Sequence, residues 1–189
     1  QTESTRRKRI SRATFLLAMQ IVVNLFAPHL FAPFTPGVLS LFALLIISEP
    51  IWSSPFRSSK LLPQTVFSLL LFLTVIGLYF GSGFQGSDKW TDRTTTASIQ
   101  TLILHLLLTG TYPLFPWMIF AVFGAFIAKI TSIDSKINVL KLTTTSIVFG
   151  LIFCVTSLVW SIHNDSAWAL PSGEAVLTFF PPNYPFILA

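Results

Sequence analysis

The sequence predicts an all-α fold: a polytopic bundle of about five transmembrane helices with one short interfacial or re-entrant helix. Three observations predict it. Of 189 residues, 52% are hydrophobic and only 10% charged, whereas a soluble domain carries about a quarter charged residues. Mean hydropathy is +0.72. Apolar runs long enough to cross a bilayer recur along the chain, separated by loops that hold most of the charge. So few charges cannot cover a globule in water, and the 19 phenylalanines suit a surface that faces lipid.

A crossing needs about 20 residues. The first predicted span is residues 10–27, closed by Pro28. The second, 37–52, is slightly short and is interrupted near its end by Glu49 and Pro50. The third is 63–81, the fourth 112–130 and the fifth 142–162. Residues 98–109 are apolar but too short to span, which fits an interfacial or re-entrant helix with Gln100, Thr101 and His105 along its polar edge. Residues 82–97 form an external loop, in which Asp88, Lys89, Asp92 and Arg93 read as solvated. Residues 175–189 begin another apolar segment, which Phe180-Pro181-Pro182 breaks. A single transmembrane domain covers 1–189, and its ends at Gln1 and Ala189 suit a portion of a longer fold.

Charge orients the bundle. Five of the twelve basic residues, Arg6, Arg7, Lys8, Arg9 and Arg12, directly precede the first span. With the N-terminus in the cytoplasm, Arg57, Lys60, Lys129, Lys136 and Lys141 join them, so ten of twelve lie inside. The outside keeps Lys89 and Arg93 with Asp88, Asp92, Asp165 and Glu174. A full crossing at 98–109 would move three lysines outside, so charge argues against it. The basic run therefore reads as an anchor beside anionic headgroups rather than as a nucleic-acid site. Trp52, Trp90, Trp117, Trp160 and Trp168 fall near segment ends or in loops, where interface anchoring suits them.

Few residues suggest chemistry. Cys154 lies alone in an apolar stretch, and no metal-ligand pattern exists. His29, His105 and His163 map near the external side and are the candidate catalytic residues; His105, in an otherwise apolar run, needs a partner. Glu49 is the one acid inside a span, where an ion path and a helix-end contact both remain open. The run Thr109-Gly-Thr-Tyr-Pro-Leu-Phe-Pro-Trp117 is the most distinctive. Its two prolines suit the first turn of a spanning helix, and Gly110 permits a tight approach. No nucleotide loop, zincin motif or GxSxG elbow is present.

The stretch Gly110 to Trp117, followed by Gly124, resembles an element of the heparan-α-glucosaminide N-acetyltransferase-like group of multi-pass membrane acyltransferases. Arg9 to Phe26 followed by Pro36-Gly37-Val38-Leu39 is similar to that group's mid-chain helix and "GVL" turn, and Phe180-Pro181-Pro182 to its later "PPS" element. The resemblance covers most of the chain as a middle portion of the family fold. It implies transfer of an acyl group from cytoplasmic acyl-CoA to a sugar across the membrane. It also implies substrate contacts at Tyr112 and Trp117, with His105 at the border of the acceptor site. The family's reactive histidine sits near an "LDxxRG" start that these residues do not contain, so the resemblance assigns none of the three histidines. The alternative is a non-catalytic subunit whose phenylalanine-rich faces pack against partner membrane subunits, in a complex that carries pigment or quinone.

Overall fold

In a computed structural model of the chain, residues 3–58, 60–133, 139–171 and 173–188 are described. Helices dominate, and four are long and apolar enough to cross a membrane: α1 (Glu3–Phe26), α3 (Leu61–Phe80), α6 (Leu114–Ile133) and α7 (Val139–His163). The protein is an all-α transmembrane bundle. Between the long helices lie α2 (Val38–Trp52), the short α4 (Trp90–Thr94) and α5 (Ile99–Thr109). A tail follows, with a two-stranded parallel ladder of β1 (Ala169–Leu170) and β2 (Leu177–Thr178), then α8 (Tyr184–Leu188).

The buried set is unusually polar for a folded chain. Among the described residues twelve polar or charged residues are buried, against nine hydrophobic ones and five prolines. Lipid is as apolar as leucine, so apolar side chains gain little by turning inward and polar ones do the joining. The small apolar core is Leu71 and Val75 of α3 against Val122 of α6, flanked by Trp52, Phe67 and Met118.

α1 and α2 are antiparallel neighbours tied at both ends. At one end Arg9 Nη1 donates to Glu49 Oε2 at 2.6 Å, and Ser53 Oγ donates to Glu49 Oε1 at 2.7 Å. Glu49 is thus a helix-end contact. At the other end Gln20 and Asn24, one turn apart and buried, hold the link between the helices. Gln20 Oε1 accepts from Leu39 N at 3.1 Å, and Gln20 Nε2 donates to Asn24 Oδ1 at 2.9 Å. Asn24 Nδ2 donates to the carbonyls of Pro33 at 3.0 Å and Thr35 at 2.8 Å. Gly37 leaves room for this clamp, since a Cβ there would stand 2.6 Å from Gln20 Nε2.

Asn24→Asp keeps the size and removes the donors. The carboxylate then faces two carbonyl oxygens, and the expected loss is about 2–3 kcal/mol, the cost of leaving buried partners unmatched. The thermal midpoint of the detergent-solubilised protein checks this against Val23→Asn, which sits on an exposed face.

Five spans were expected, and α2 is the one that falls short of the length criterion. Its 15 residues measure about 22 Å against a hydrocarbon core of about 30 Å. It still runs from the Gln20 end to the Glu49 end, which carries the chain back so that α3 starts where α1 started. Pro50 does not interrupt it: it lies inside the last turn, and the helix runs on past it to Trp52. α1 begins seven residues earlier than the apolar signal, so the basic run is helical. In α6, Phe115 is extended (φ −94°, ψ 130°), as a residue before proline tends to be, and Pro116 opens the regular helix.

α5 is about 16 Å long and does not cross. Ser98 caps it by accepting from Thr101 N at 3.1 Å. Both its flanks are fastened at one end of the bundle: His105 reaches back to Thr95 O at 3.2 Å, and Thr111 Oγ1 donates to Pro36 O at 2.8 Å.

Candidate functional site

The end of the bundle holding α4, α5 and the tail gathers most of the chemistry. Its centre is Arg93, 1% exposed. Nε donates to Ser87 O at 2.7 Å, and Nη1 donates to the carbonyls of Thr109 and Gly110, both at 3.0 Å. Nη2 donates to Gln85 O. The carbonyls of Thr109 and Gly110 close the C-terminal end of α5, where a cation also meets the negative pole of the helix. Burial draws the guanidinium below its usual range, and Tyr79 and Asp88 partly offset this. The solvated reading of the 82–97 loop fails at Arg93 for this reason, although Asp88, Lys89 and Asp92 are exposed.

Two π-helical turns meet beneath it. The last part of α3, Val75–Phe80, and the last part of α5, His105–Thr109, are both π-helical. Tyr79 Oη donates to Leu108 O at 2.8 Å across them. Gly110 follows directly, and a Cβ on it would stand 2.3 Å from His105 O. The tight approach expected from sequence is therefore real, and it is backbone against backbone.

The histidines separate. His105 is buried, with Nδ1 2.8 Å from Thr109 Oγ1 and Nε2 3.2 Å from Thr95 O, so both ring nitrogens fasten α5. His29 and His163 are exposed, on the turn after α1 and at the end of α7. Among the described residues no three His, Cys, Asp or Glu side chains gather as a metal site.

Tyr112 and Trp117 do come together, with ring centroids 5.7 Å apart. The tail extends them into an aromatic wall. Tyr112 meets Phe180 at 5.4 Å, and Trp117 meets Phe179 at 5.1 Å and Phe186 at 6.1 Å. Trp90 continues the chain of rings to Phe180 at 5.3 Å and Phe31 at 5.8 Å. Within this wall Trp117 Nε1 is buried and has no hydrogen-bond partner. A buried tryptophan N–H normally finds one; Gln64 Oε1, Ser68 Oγ and Thr96 Oγ1 share this state elsewhere in the bundle. The tail rings carry no periodic signal, and sequence reading missed their part in the wall.

Two hollows flank the tail. An open cleft of about 800 Å³ is lined by Asp88, Trp160, Asn164, Asp165, Glu174 and Asn183, among others. An apolar groove of about 440 Å³ is lined by Ala169, Leu170, Leu177, Phe179, Phe180 and Phe186, with Pro171.

Comparison with protein-family models, curated proteins and solved structures found no match to this chain.

Proposed function

We propose that this protein is an acyltransferase-like membrane component, oriented with its N-terminus in the cytoplasm, that receives a sugar acceptor at the Tyr112–Trp117 end while acyl-CoA donates from the cytoplasmic side. The supporting observation is the aromatic wall that Tyr112 and Trp117 share with the tail rings, with the Trp117 Nε1 donor buried inside it. Aromatic faces with a few polar groups are the usual furniture of a small-molecule site. Both nitrogens of His105 being occupied favours binding and orientation as the role of these residues, with a partner membrane subunit or a further segment supplying the base.

The orientation rests on charge. Arg6, Arg7, Lys8, Arg9, Arg12, Arg57 and Lys60 share the Glu49 end with Lys129 and Lys141, while the opposite end exposes Asp88, Asp92, Asp165 and Glu174. Lys136, assigned to the same side from sequence, lies outside the described residues.

Proteoliposomes given labelled acetyl-CoA on one side and a sugar acceptor on the other test the reading. Trp117→Phe keeps a ring and removes the donor. The acceptor KM is expected to rise about tenfold, the equivalent of one hydrogen bond, with kcat less affected. Equal KM values in wild type and variant would remove Trp117 from the site.

The non-catalytic subunit reading has one observation in its favour. α7 exposes Phe149, Leu151, Ile152, Val155 and Val159 along its length. Purification with a stoichiometric pigment or quinone and no acyl transfer would decide for that reading.

A further inference from the structure

The spanning helices do not all fit one thickness of bilayer. α7 carries its apolar span over Thr143–His163, about 30 Å by the rise per residue and equal to an ordinary hydrocarbon core. α3 exposes apolar side chains from Leu61 to Leu78, about 26 Å. The α1–α2 pair is shorter. α2 exposes them from Val38 to Ile51, about 20 Å. α1 exposes them from Phe15 to Phe26, about 17 Å, with the exposed Arg12 a turn before Phe15 and Ile10 among the basic residues.

The pair cannot adjust its length. Tilting reduces the height a helix covers, so it corrects an excess and worsens a deficit. Both ends are also fixed. At one, Arg9 Nη1 donates to Glu49 Oε2 at 2.6 Å, and Arg57 Nη2 stands 3.8 Å from Glu49 Oε1. At the other, Asn24 Nδ2 holds the carbonyls of Pro33 and Thr35 against the end of α1. Snorkelling is open to Arg12 but not to α2, which includes no lysine or arginine and whose flanking Arg57 turns back on Glu49. A hydrocarbon layer of about 30 Å beside α2 would draw one polar end of the pair below its surface. The remaining adjustment is in the lipid, which thins against a short span.

The side chains of the face decide what lies against it. α2 packs on α1 and α6. The side it leaves open carries Val38, Phe42, Ile47 and Ile51, and α1 exposes Phe15 and Phe26. Helices that associate in a membrane do so through small residues that let their backbones approach. Branched and aromatic groups keep a second helix at a distance and suit acyl chains.

We infer that the exposed side of the α1–α2 pair is a membrane-thinning surface: it takes a hydrocarbon layer of about 20 Å and gathers short-chain lipids, while α7 takes a layer of full thickness. Beside α2 the headgroups of the two leaflets are thereby brought closer together. The inference needs neither acyl transfer nor a particular orientation of the bundle.

Single cysteines in a Cys154→Ser background, labelled on the full chain and reconstituted, test it. For lipid preference, a fluorophore on Phe42→Cys, near the middle of α2, is compared with one on Val155→Cys of α7; both sites are exposed. The bilayer is an equal mixture of dimyristoleoyl and dierucoyl phosphatidylcholine, with one or the other brominated at its double bonds. The short-chain lipid should quench the Phe42→Cys label about threefold more than the long-chain one, from a small cost per ångström of mismatch summed over several ångströms. Neither lipid should be preferred at Val155→Cys. For depth, spin labels on Phe26→Cys and Ile51→Cys in dioleoyl phosphatidylcholine should both meet a water-soluble relaxation agent, as labels on Leu140→Cys and Ile162→Cys should. The depth arm uses other exposed sites, so it decides the matter even where Phe42→Cys fails to fold. Equal quenching at Phe42→Cys, or a Phe26→Cys or Ile51→Cys label reached by oxygen alone, would overturn the inference. So would a Phe42→Cys label that neither lipid quenches, because a second copy or another protein would then cover the face.

Discussion

Arg93→Met is expected to lower the stability of the protein more than any substitution on the lipid-facing helices. The side chain joins the 82–89 loop to the end of α5 through four backbone carbonyls and is all but inaccessible. Methionine fills the volume and donates nothing. Four carbonyls then lose a charged donor at once, and the expected cost is about 3–5 kcal/mol, the range for removing one member of a buried charged network. For a chain of this size that corresponds to a fall of roughly 10 °C in the thermal midpoint. Arg93→Lys keeps the charge but offers a compact ammonium in place of a planar fork, and cannot reach carbonyls on opposite sides. It should recover less than half of the loss. A midpoint by fluorescence-detected size exclusion within about 2 °C of wild type for both variants would contradict the assignment.

Gly110→Ala should be nearly as damaging for a different reason. The backbone dihedrals at Gly110 (φ −72°, ψ −171°) suit any residue, so the obstacle is space alone. The new Cβ would stand 2.3 Å from His105 O and 3.0 Å from His105 C, and neither can swing aside as a side chain would. Relief requires the end of α5 to unwind, which breaks the Gly110 N to His105 O bond of 3.1 Å and moves two of the acceptors of Arg93. A loss of about 3 kcal/mol or more is expected from overpacking against backbone. Gly124→Ala is the matched control: that glycine sits in a helix with nothing near its Cβ position, so the change should be neutral or slightly stabilising. Similar midpoints for the two alanine variants would show that α5 does not end as described.

The long helices and the non-crossing α5 were legible because each depends on a property that composition reports directly, apolar length in one case and lysine distribution in the other. The prolines at 113 and 116 were legible because their effect on a helix start is local. Arg93 was not, since its acceptors at Thr109 and Gly110 come from chain 16 and 17 residues further on, and a polar loop gives no sign of which charge it will enclose. Gln20 and Asn24 carried a signal that could have been read: two amides one turn apart in an apolar helix point to a buried polar seam. Tyr112 and Trp117 were singled out from sequence, but their tail partners were hidden, because a proline-broken apolar segment resembles a failed span as closely as a packed wall.

The arrangement in the membrane is tested most directly by single cysteines at Ser4, Asp88 and Asp165, each in a Cys154→Ser background and treated with an impermeant thiol reagent. In intact cells Asp88→Cys and Asp165→Cys should both react, and Ser4→Cys should react only after the membrane is opened. Reaction of Asp88→Cys and Asp165→Cys from opposite sides, or of Ser4→Cys together with them in intact cells, would contradict the bundle and its orientation.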